Sequence, residues 1–314
     1  MAELQQAAMA QALAALNGHD AKKFSEVYAE NATVSVAGLN ELWGRDAVEQ
    51  NMKEWFETFS NIKLGFRRVW VRGSNLIIEW VINGKHTGEL IGVKGQDNPI
   101  GHYGLSIVWF DEEGKVKREN RYGELGTVLT QVGAAKAKPR EIPPVPEKPE
   151  MIVSKGGPEE QKALESAQAL HGALQRKSEA AFLGALADDI QYEGVLFLET
   201  VKGKAEAKKF FGGVTRAFPD LKLTNANSWG IGSYAIVEYS MSGTHKAALG
   251  ALPASKKKID VHLVDVYEMK DGKAVRAWTY QNSVELMTQV GAFEAPVAAP
   301  PKAPGDAPKT TGGK

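Results

Sequence analysis

Along this chain the apolar positions keep a helical period, then switch to strict alternation, and then the whole pattern begins again. An alanine-rich segment, Glu3 to Leu16, reads as a first helix, and Pro158 to Gln175 is its later counterpart. The later one opens on proline at the first turn followed by Glu159 and Glu160, a start that suits the helix dipole. A short second helix is expected next, with Phe24, Val27 and Tyr28 on one face and Phe182, Ala185 and Leu186 as equivalents. A strand near Thr33–Val36, or Ile190–Tyr192, leads to a third helix. Its apolar positions Val48, Met52, Trp55 and Phe59 fall at i, i+4, i+7 and i+11, and Ala207, Phe211, Val214 and Phe218 repeat them. The period then becomes two. Strands are predicted over 63–72, 76–87, 100–110 and 115–122, and again over 222–230, 233–244, 258–268 and 274–281, with tight turns at DEEG and KDGK. A closing helical turn carries TQVG in both halves.

The repetition is direct. TQVGA at Thr130–Ala134 returns at Thr288–Ala292, and Phe24, Gly44, Phe59, Leu64, Trp70, His86 and Gly114 find partners in Phe182, Gly203, Phe218, Leu223, Trp229, His245 and Gly272. Such a register means a duplicated domain. The predicted boundaries are 1–134 for the first copy, 135–157 for a linker, 158–293 for the second copy and 294–314 for a disordered tail. The linker holds five of the 14 prolines, which lock φ and remove donors, so it reads as a semi-rigid, extended tether rather than a packed element. Helices followed by a long antiparallel meander describe an α+β domain. A sheet that curls about its helices encloses a natural small-molecule pocket. The fold expected is therefore two tandem cone-shaped domains, each with three N-terminal helices and a curved antiparallel sheet.

Composition narrows the function. With 38 basic and 38 acidic side chains the net charge is zero, which argues against nucleic acid or an anionic membrane as partner. There are no cysteines, hence no disulfide, thiolate metal site or cysteine nucleophile. No apolar run is long enough to span a bilayer, and the acidic residue in MAELQQAAMA is unlike a signal peptide, so the chain reads as cytoplasmic. The six histidines lack H-x-x-x-H or H-x-H spacing, so neither a metal nor a cofactor is expected.

The segments GKHTGELIGV, DEEGKV and LTQVG, with GTHKAALGALP, KDGKAV and MTQVG in the second copy, resemble the SnoaL-like polyketide cyclase and ester cyclase family. That family lies in the nuclear-transport-factor-2-like superfamily of α+β cones. The resemblance implies aldol ring closure without metal or cofactor. A pocket carboxylate beside the closing helix removes a proton next to a carbonyl, and histidine and asparagine side chains hold the enolate. Desolvation is what would make such a carboxylate a competent base. The family's acidic position, nine residues before the motif glycine, falls on Glu124 in the first copy and on Asn282 in the second. Its pocket histidine matches His262, where the first copy has Gly104, while His102 lies two residues away on the same strand face, opposite Asp260 in the second copy.

Glu124, His102 and His262 are thus the candidate catalytic residues. His86, Tyr122, His245, Asp260, Tyr280 and Asn282 are the candidate ligand-binding ones. Each has a plainer reading. Glu124 precedes a helix that a carboxylate would cap; the tyrosines, repeated in register, are either oxyanion donors or core aromatics with satisfied hydroxyls; the histidines are pocket donors or strand-end residues bonded to backbone. Three functions follow: a cyclase or isomerase acting on a hydrophobic carbonyl compound, a pocket protein that holds such a molecule without chemistry, and an intramolecular pseudo-dimer in which the cones pack sheet to sheet. The linker, at about 3.1 Å per extended residue, is ample for that packing.

Overall fold

The computed structural model describes residues 2–194 and 200–294. The tail expected to be disordered lies outside them, apart from Glu294. In the first half the order is α1 (Ala2–Asn17), α2 (Ala21–Ser25), β1 (Tyr28–Val36), β2 (Leu42–Trp43), α3 (Arg45–Thr58), β3 (Phe59–Arg72), β4 (Asn75–His86), β5 (Glu89–Leu90), β6 (Val93–Lys94), β7 (Asn98–Phe110), β8 (Val116–Gly123) and α4 (Leu125–Gln131). A further strand, β9 (Glu150–Val153), precedes the second half. There, α5 (Pro158–Gln175), α6 (Glu179–Gly184), β10 (Leu186–Gly194), β11 (Val201–Lys202), α7 (Gly203–Ala217), β12 (Lys222–Ile231), β13 (Tyr234–Thr244), β14 (Lys258–Lys270), β15 (Lys273–Tyr280) and α8 (Ser283–Val290) repeat the plan.

Helix starts and stops follow from local chemistry. Asp20 caps α2 by accepting from Lys23 N at 2.9 Å, and Asn282 caps α8 by accepting from Val284 N at 3.2 Å. Gly291, at φ 76°, ends α8 in the left-handed conformation that glycine adopts without strain. The second helix stops earlier than its apolar spacing suggests. It ends at Ser25, and Tyr28 already opens β1, where it pairs in parallel with Val116. Phe24, Val27 and Tyr28 are all buried either way, so a helical period over so short a run did not distinguish helix from strand.

The strand order is β2-β1-β8-β7-β4-β3-β9 in the first half and β11-β10-β15-β14-β13-β12 in the second. The meanders β3-β4-β7-β8 and β12-β13-β14-β15 are antiparallel, as expected, but β1 joins β8, and β10 joins β15, in parallel. The linker is packed rather than free. Its proline-free end forms β9, parallel to the β3 edge, where Met151 pairs with Val69 and Ile152 with Trp70. Upstream, Pro143 O accepts from Asn83 Nδ2 at 3.0 Å, because a proline carbonyl still accepts where its nitrogen cannot donate.

Each sheet has two buried faces. The concave face of the first closes over α1 and α3 around Val34, Val48, Met52, Phe59, Val69 and Val108, and that of the second over α5 and α7 around Ala167, Leu170, Phe218, Val237, Leu263 and Tyr267. The convex faces pack against each other. Trp70, Ile77, Leu105, Ile107 and Tyr122 meet Trp229, Tyr234, Ile236, Val264, Trp278 and Tyr280 in a third apolar cluster, so the chain is an intramolecular pseudo-dimer. Fully burying an apolar side chain contributes roughly 1.5–3 kcal/mol, which makes this seam a major part of the fold. Two buried carboxylates cross it in pseudo-symmetric fashion. Tyr122 Oη donates to Glu238 at 2.7 Å, and Tyr280 Oη donates to Glu79. The surroundings then diverge. Arg68 pairs with Glu79 and lies over the Trp278 ring at 3.8 Å, whereas Asn120 and Asn227 supply neutral donors to Glu238.

Candidate functional site

Alternation along β8 decides what faces the interior of the first half. Arg118, Asn120 and Tyr122 point toward the seam, so Glu119, Arg121 and Gly123 point into the cone, where they line a cavity of about 880 Å³. Its walls are apolar: Met9 and Ala12 from α1, Met52 and Trp55 from α3, Phe66, Ile78, Ile82 and Val108 from the sheet, and Leu125 and Val128 from α4. The residues of its rim include Gly38, Leu39 and Asn40, from the loop between β1 and β2.

One polar cluster stands in this apolar wall. The Glu119 carboxylate accepts from Tyr28 Oη at 2.6 Å, Ser106 Oγ at 2.7 Å, Arg121 Nε at 3.0 Å and Arg121 Nη2 at 2.9 Å. Trp80 Nε1 donates to Ser106 Oγ at 3.1 Å. Burial pushes the Glu119 pKa up, but the Arg121 charge and the donors outweigh it and hold the carboxyl below its ordinary value. Burial and the Glu119 charge together push the Tyr28 hydroxyl well up, so it stays protonated. Glu119 is therefore ionised and fully occupied, a poor base but a firm anchor for the guanidinium. Among the described residues none hydrogen-bonds Arg121 Nη1, and Arg121 belongs to the cavity wall.

His102 lines the same cavity, four residues from Ser106 along β7, or about 13 Å at a strand rise of about 3.3 Å per residue. Burial drives its pKa down to about 4, against the opposing pull of the Tyr103 carbonyl. The imidazole is neutral at pH 7. Nδ1 lies 2.9 Å from Tyr103 O and 3.4 Å from the Glu124 amide nitrogen; the shorter contact, to an oxygen that can only accept, favours hydrogen on Nδ1, and among the described residues none bonds Nε2. Trp80 sits between the two polar places, edge-on to His102 at 5.4 Å. It fits because Gly104 and Gly123 lie beneath its indole; a Cβ on Gly104 would overlap the ring.

The other expected site residues fall elsewhere. Glu124 is at the seam: it caps α4 through Thr127 N at 3.2 Å and accepts from Ser283 N at 3.0 Å and from Ser283 Oγ. Tyr122 and Tyr280 are the seam donors described above, since their strand parity turns them away from both cone interiors. His262 lies on the wrong face. Gln131 clasps the backbone of Gly101, and Gln289 clasps that of Asp260 in the same way. The strand registers agree, with Trp80 opposite Gly104 and Tyr239 opposite Leu263, so His262 corresponds to Tyr103 rather than to Gly104. Its side chain is 57% exposed and bonds Glu285 at 2.7 Å, which raises its pKa. Asp260 is exposed on the same strand. His86 and His245 are fully buried against Phe59 and Phe218, outside the cavity wall, and burial lowers both pKa values. Asn282 does line a cavity, but it is the first half's, reached from the second.

Register places Asp265 and Tyr239 of the second half where Ser106 and Trp80 stand in the first. There Asp265 accepts from Tyr267 Oη at 2.9 Å and from Thr279 Oγ1, and lies 3.0 Å from His171 Nε2. The two cones share a plan but carry different chemistry.

A family model described as SnoaL-like polyketide cyclase matches residues 6–132 and again 165–290. No curated protein matches the chain. Among solved structures, one described as a SnoaL-like polyketide cyclase from Jannaschia sp. CCS1 is 18% identical, with 44% of this chain and 97% of that one covered at a TM-score of 0.41. One described as a polyketide cyclase from Xanthomonas campestris pv. campestris is 23% identical, with 42% and 98% covered at a TM-score of 0.35. An epoxide hydrolase of the LEH-like type from M. tuberculosis is 17% identical, with 43% and 93% covered at a TM-score of 0.37.

Proposed function

Because this chain belongs to the SnoaL-like polyketide cyclase family, we propose that its first half binds a small, mostly apolar carbonyl compound and moves a proton on it, in chemistry of the cyclase or isomerase type. One arrangement carries this reading. An ion pair with a free cationic N–H edge stands in the wall of an apolar cavity, and a neutral imidazole with a free lone pair stands farther along the same wall. Arg121 Nη1 donates to one ligand oxygen and fixes the molecule. His102 Nε2 accepts a proton from a carbon or hydroxyl toward the other end.

The weak basicity of His102 says something about the substrate. An imidazole whose conjugate acid has a pKa of about 4 suits a carbon acid already activated, such as a CH₂ between two carbonyls. The C–H electron pair moves onto the flanking carbonyl as the proton passes to Nε2. The enolate carbon then either attacks another carbonyl of the same molecule, forming a C–C bond, or is reprotonated elsewhere, and His102 returns its proton. Glu124 and His262, the carboxylate and histidine that the resemblance selects, have no part in this scheme, because neither faces the cavity.

A second reading, retention of the ligand without turnover, is favoured by one observation: the cavity carboxylate Glu119 is already occupied by four donor groups. Exchange of the central CH₂ of 1-phenylbutane-1,3-dione in deuterated water, followed by NMR, separates the two. Positioned proton transfer is worth about 10²–10⁴ in rate. The enzymatic reading expects such an acceleration in wild type and its loss in H102A, with weaker binding in R121M. Binding without acceleration selects the second reading, and no binding removes both.

A further inference from the structure

The cavity is not closed by the first half alone. Asn282, at the N-terminus of α8 in the second half, is 2% exposed and lies in the cavity wall. Its Oδ1 caps Val284 N at 3.2 Å, and its Nδ2 donates to Ala37 O at 2.9 Å, in the loop that forms the cavity rim. The same loop is held from a second side. Gly38, at φ 73°, packs so close to α8 that a Cβ there would come within 2.7 Å of Glu285 Cβ. The first half answers with a different contact. Glu124, the sequence equivalent of Asn282, bonds Ser283 across the seam and does not line the cavity. Asn282 Nδ2 carries a second hydrogen, and none of the described residues supplies it with an acceptor.

We propose that the second half completes the first half's binding site through Asn282, which positions the 37–39 loop over the cavity and donates its second amide hydrogen to a ligand oxygen at the rim. The inference rests on the reading of the cavity as a ligand site, and it adds the polarity of the rim. A ligand anchored by Arg121 presents a second acceptor oxygen toward Asn282, so molecules oxygenated at both ends are held longer than singly oxygenated ones.

The test uses the full chain and 1-phenylbutane-1,3-dione, with binding and release followed by quenching of tryptophan fluorescence, since Trp55 and Trp80 line the cavity. N282S keeps a hydroxyl able to cap Val284 but loses both amide hydrogens. It should release the dione about tenfold faster, and the loss should shrink for 1-phenylbutan-1-one, which lacks the second oxygen. S283A removes a seam bond to Glu124 without touching the loop and should bind the dione within twofold of wild type. If N282S does not fold, G38A perturbs the same loop from the other side and should show the same faster release. Wild-type kinetics in N282S, or in G38A where N282S does not fold, overturn this inference while leaving the cavity reading intact. Failure of wild type to bind the dione overturns both.

Discussion

Replacing Glu124 by glutamine separates a seam residue from a catalytic one. Glu124 is 3% exposed, and burial lifts its pKa from 4.5 to about 7, against the lowering pull of Ser283, Thr127 and Arg140. A rise of about 2.5 units is worth about 3 kcal/mol at about 1.4 kcal/mol per unit. The sign follows from proton linkage. The native state binds this proton more tightly than the unfolded chain does, so stability from this group is full below about pH 4.5 and falls as pH rises to about 7, then stays flat. Glutamine cannot ionise, so E124Q should lack this fall. Its absolute stability is the less telling number, because the new amide hydrogens need acceptors and an unmet buried donor costs about 1–3 kcal/mol. The assay is urea denaturation of both proteins at pH 5, 6, 7 and 8, read as a difference so that His262 and other titrating groups cancel. The difference should grow in favour of E124Q by about 2.5 kcal/mol between pH 5 and 8, the first part of the fall lying below that range, while acceleration of dione exchange is kept. Parallel stability curves, or exchange abolished in E124Q, would refute the placement of Glu124 at the seam.

Three further outcomes follow from the same geometry. E119Q leaves the buried Arg121 charge without its counterion, and breaking such a pair costs about 3–5 kcal/mol; E119Q/R121M should recover part of that loss, and additive single and double mutants in a denaturation cycle would count against the pair. G104A sets a methyl against the Trp80 indole, so it should destabilise by about 1–3 kcal/mol, as overpacking does, and shift the tryptophan emission; an unchanged melting temperature and spectrum would contradict the packing. Glu160 accepts from Ser154 Oγ and from the Lys155, Gly156 and Gly232 amides, and although burial acts the other way these bonds hold its pKa at about 2. Its stabilisation is present above about pH 4.5 and fades as pH falls toward 2, so wild type should lose stability on acidification that E160Q does not, and equal acid sensitivity would exclude the linkage.

The architecture was legible where an element repeated a long period. The spacing of Val48, Met52 and Trp55 gave α3, and Pro158 with Glu159 and Glu160 gave the start of α5. It was illegible where pairing partners lay far away in sequence. Nothing in Tyr28 announces that it pairs with Val116, and nothing in Glu150–Val153 announces the β3 edge. The site was half legible. His102 stood out as a histidine on an alternating strand. Glu119 and Arg121 were hidden in the run KVKRENR, whose charges look like a solvated face until the strand's parity turns two of them inward. His262 misled by a single residue of register, which on a strand is a change of face.

Repetition within the chain misled in a more instructive way. Tyr122 and Tyr280 recur in register and were natural candidates for a shared pocket, yet each reaches a glutamate of the opposite half. A pseudo-twofold seam needs each donor twice, once for Glu238 and once for Glu79, so duplicated side chains at strand positions of one parity mark the seam. The cavity is under no such demand. Asp265 and Tyr239 stand at the register positions of Ser106 and Trp80, and Thr279 stands where Arg121 does. In a fused pair of cones, then, binding chemistry is to be sought among the inward-facing positions at which the halves differ. By that criterion the proposed ligand contacts belong with Arg121, Glu119 and His102 in the first half, while at the equivalent depth of the second half Asp265 is already engaged by His171, Tyr267 and Thr279, so the interior of one cone is no guide to that of the other.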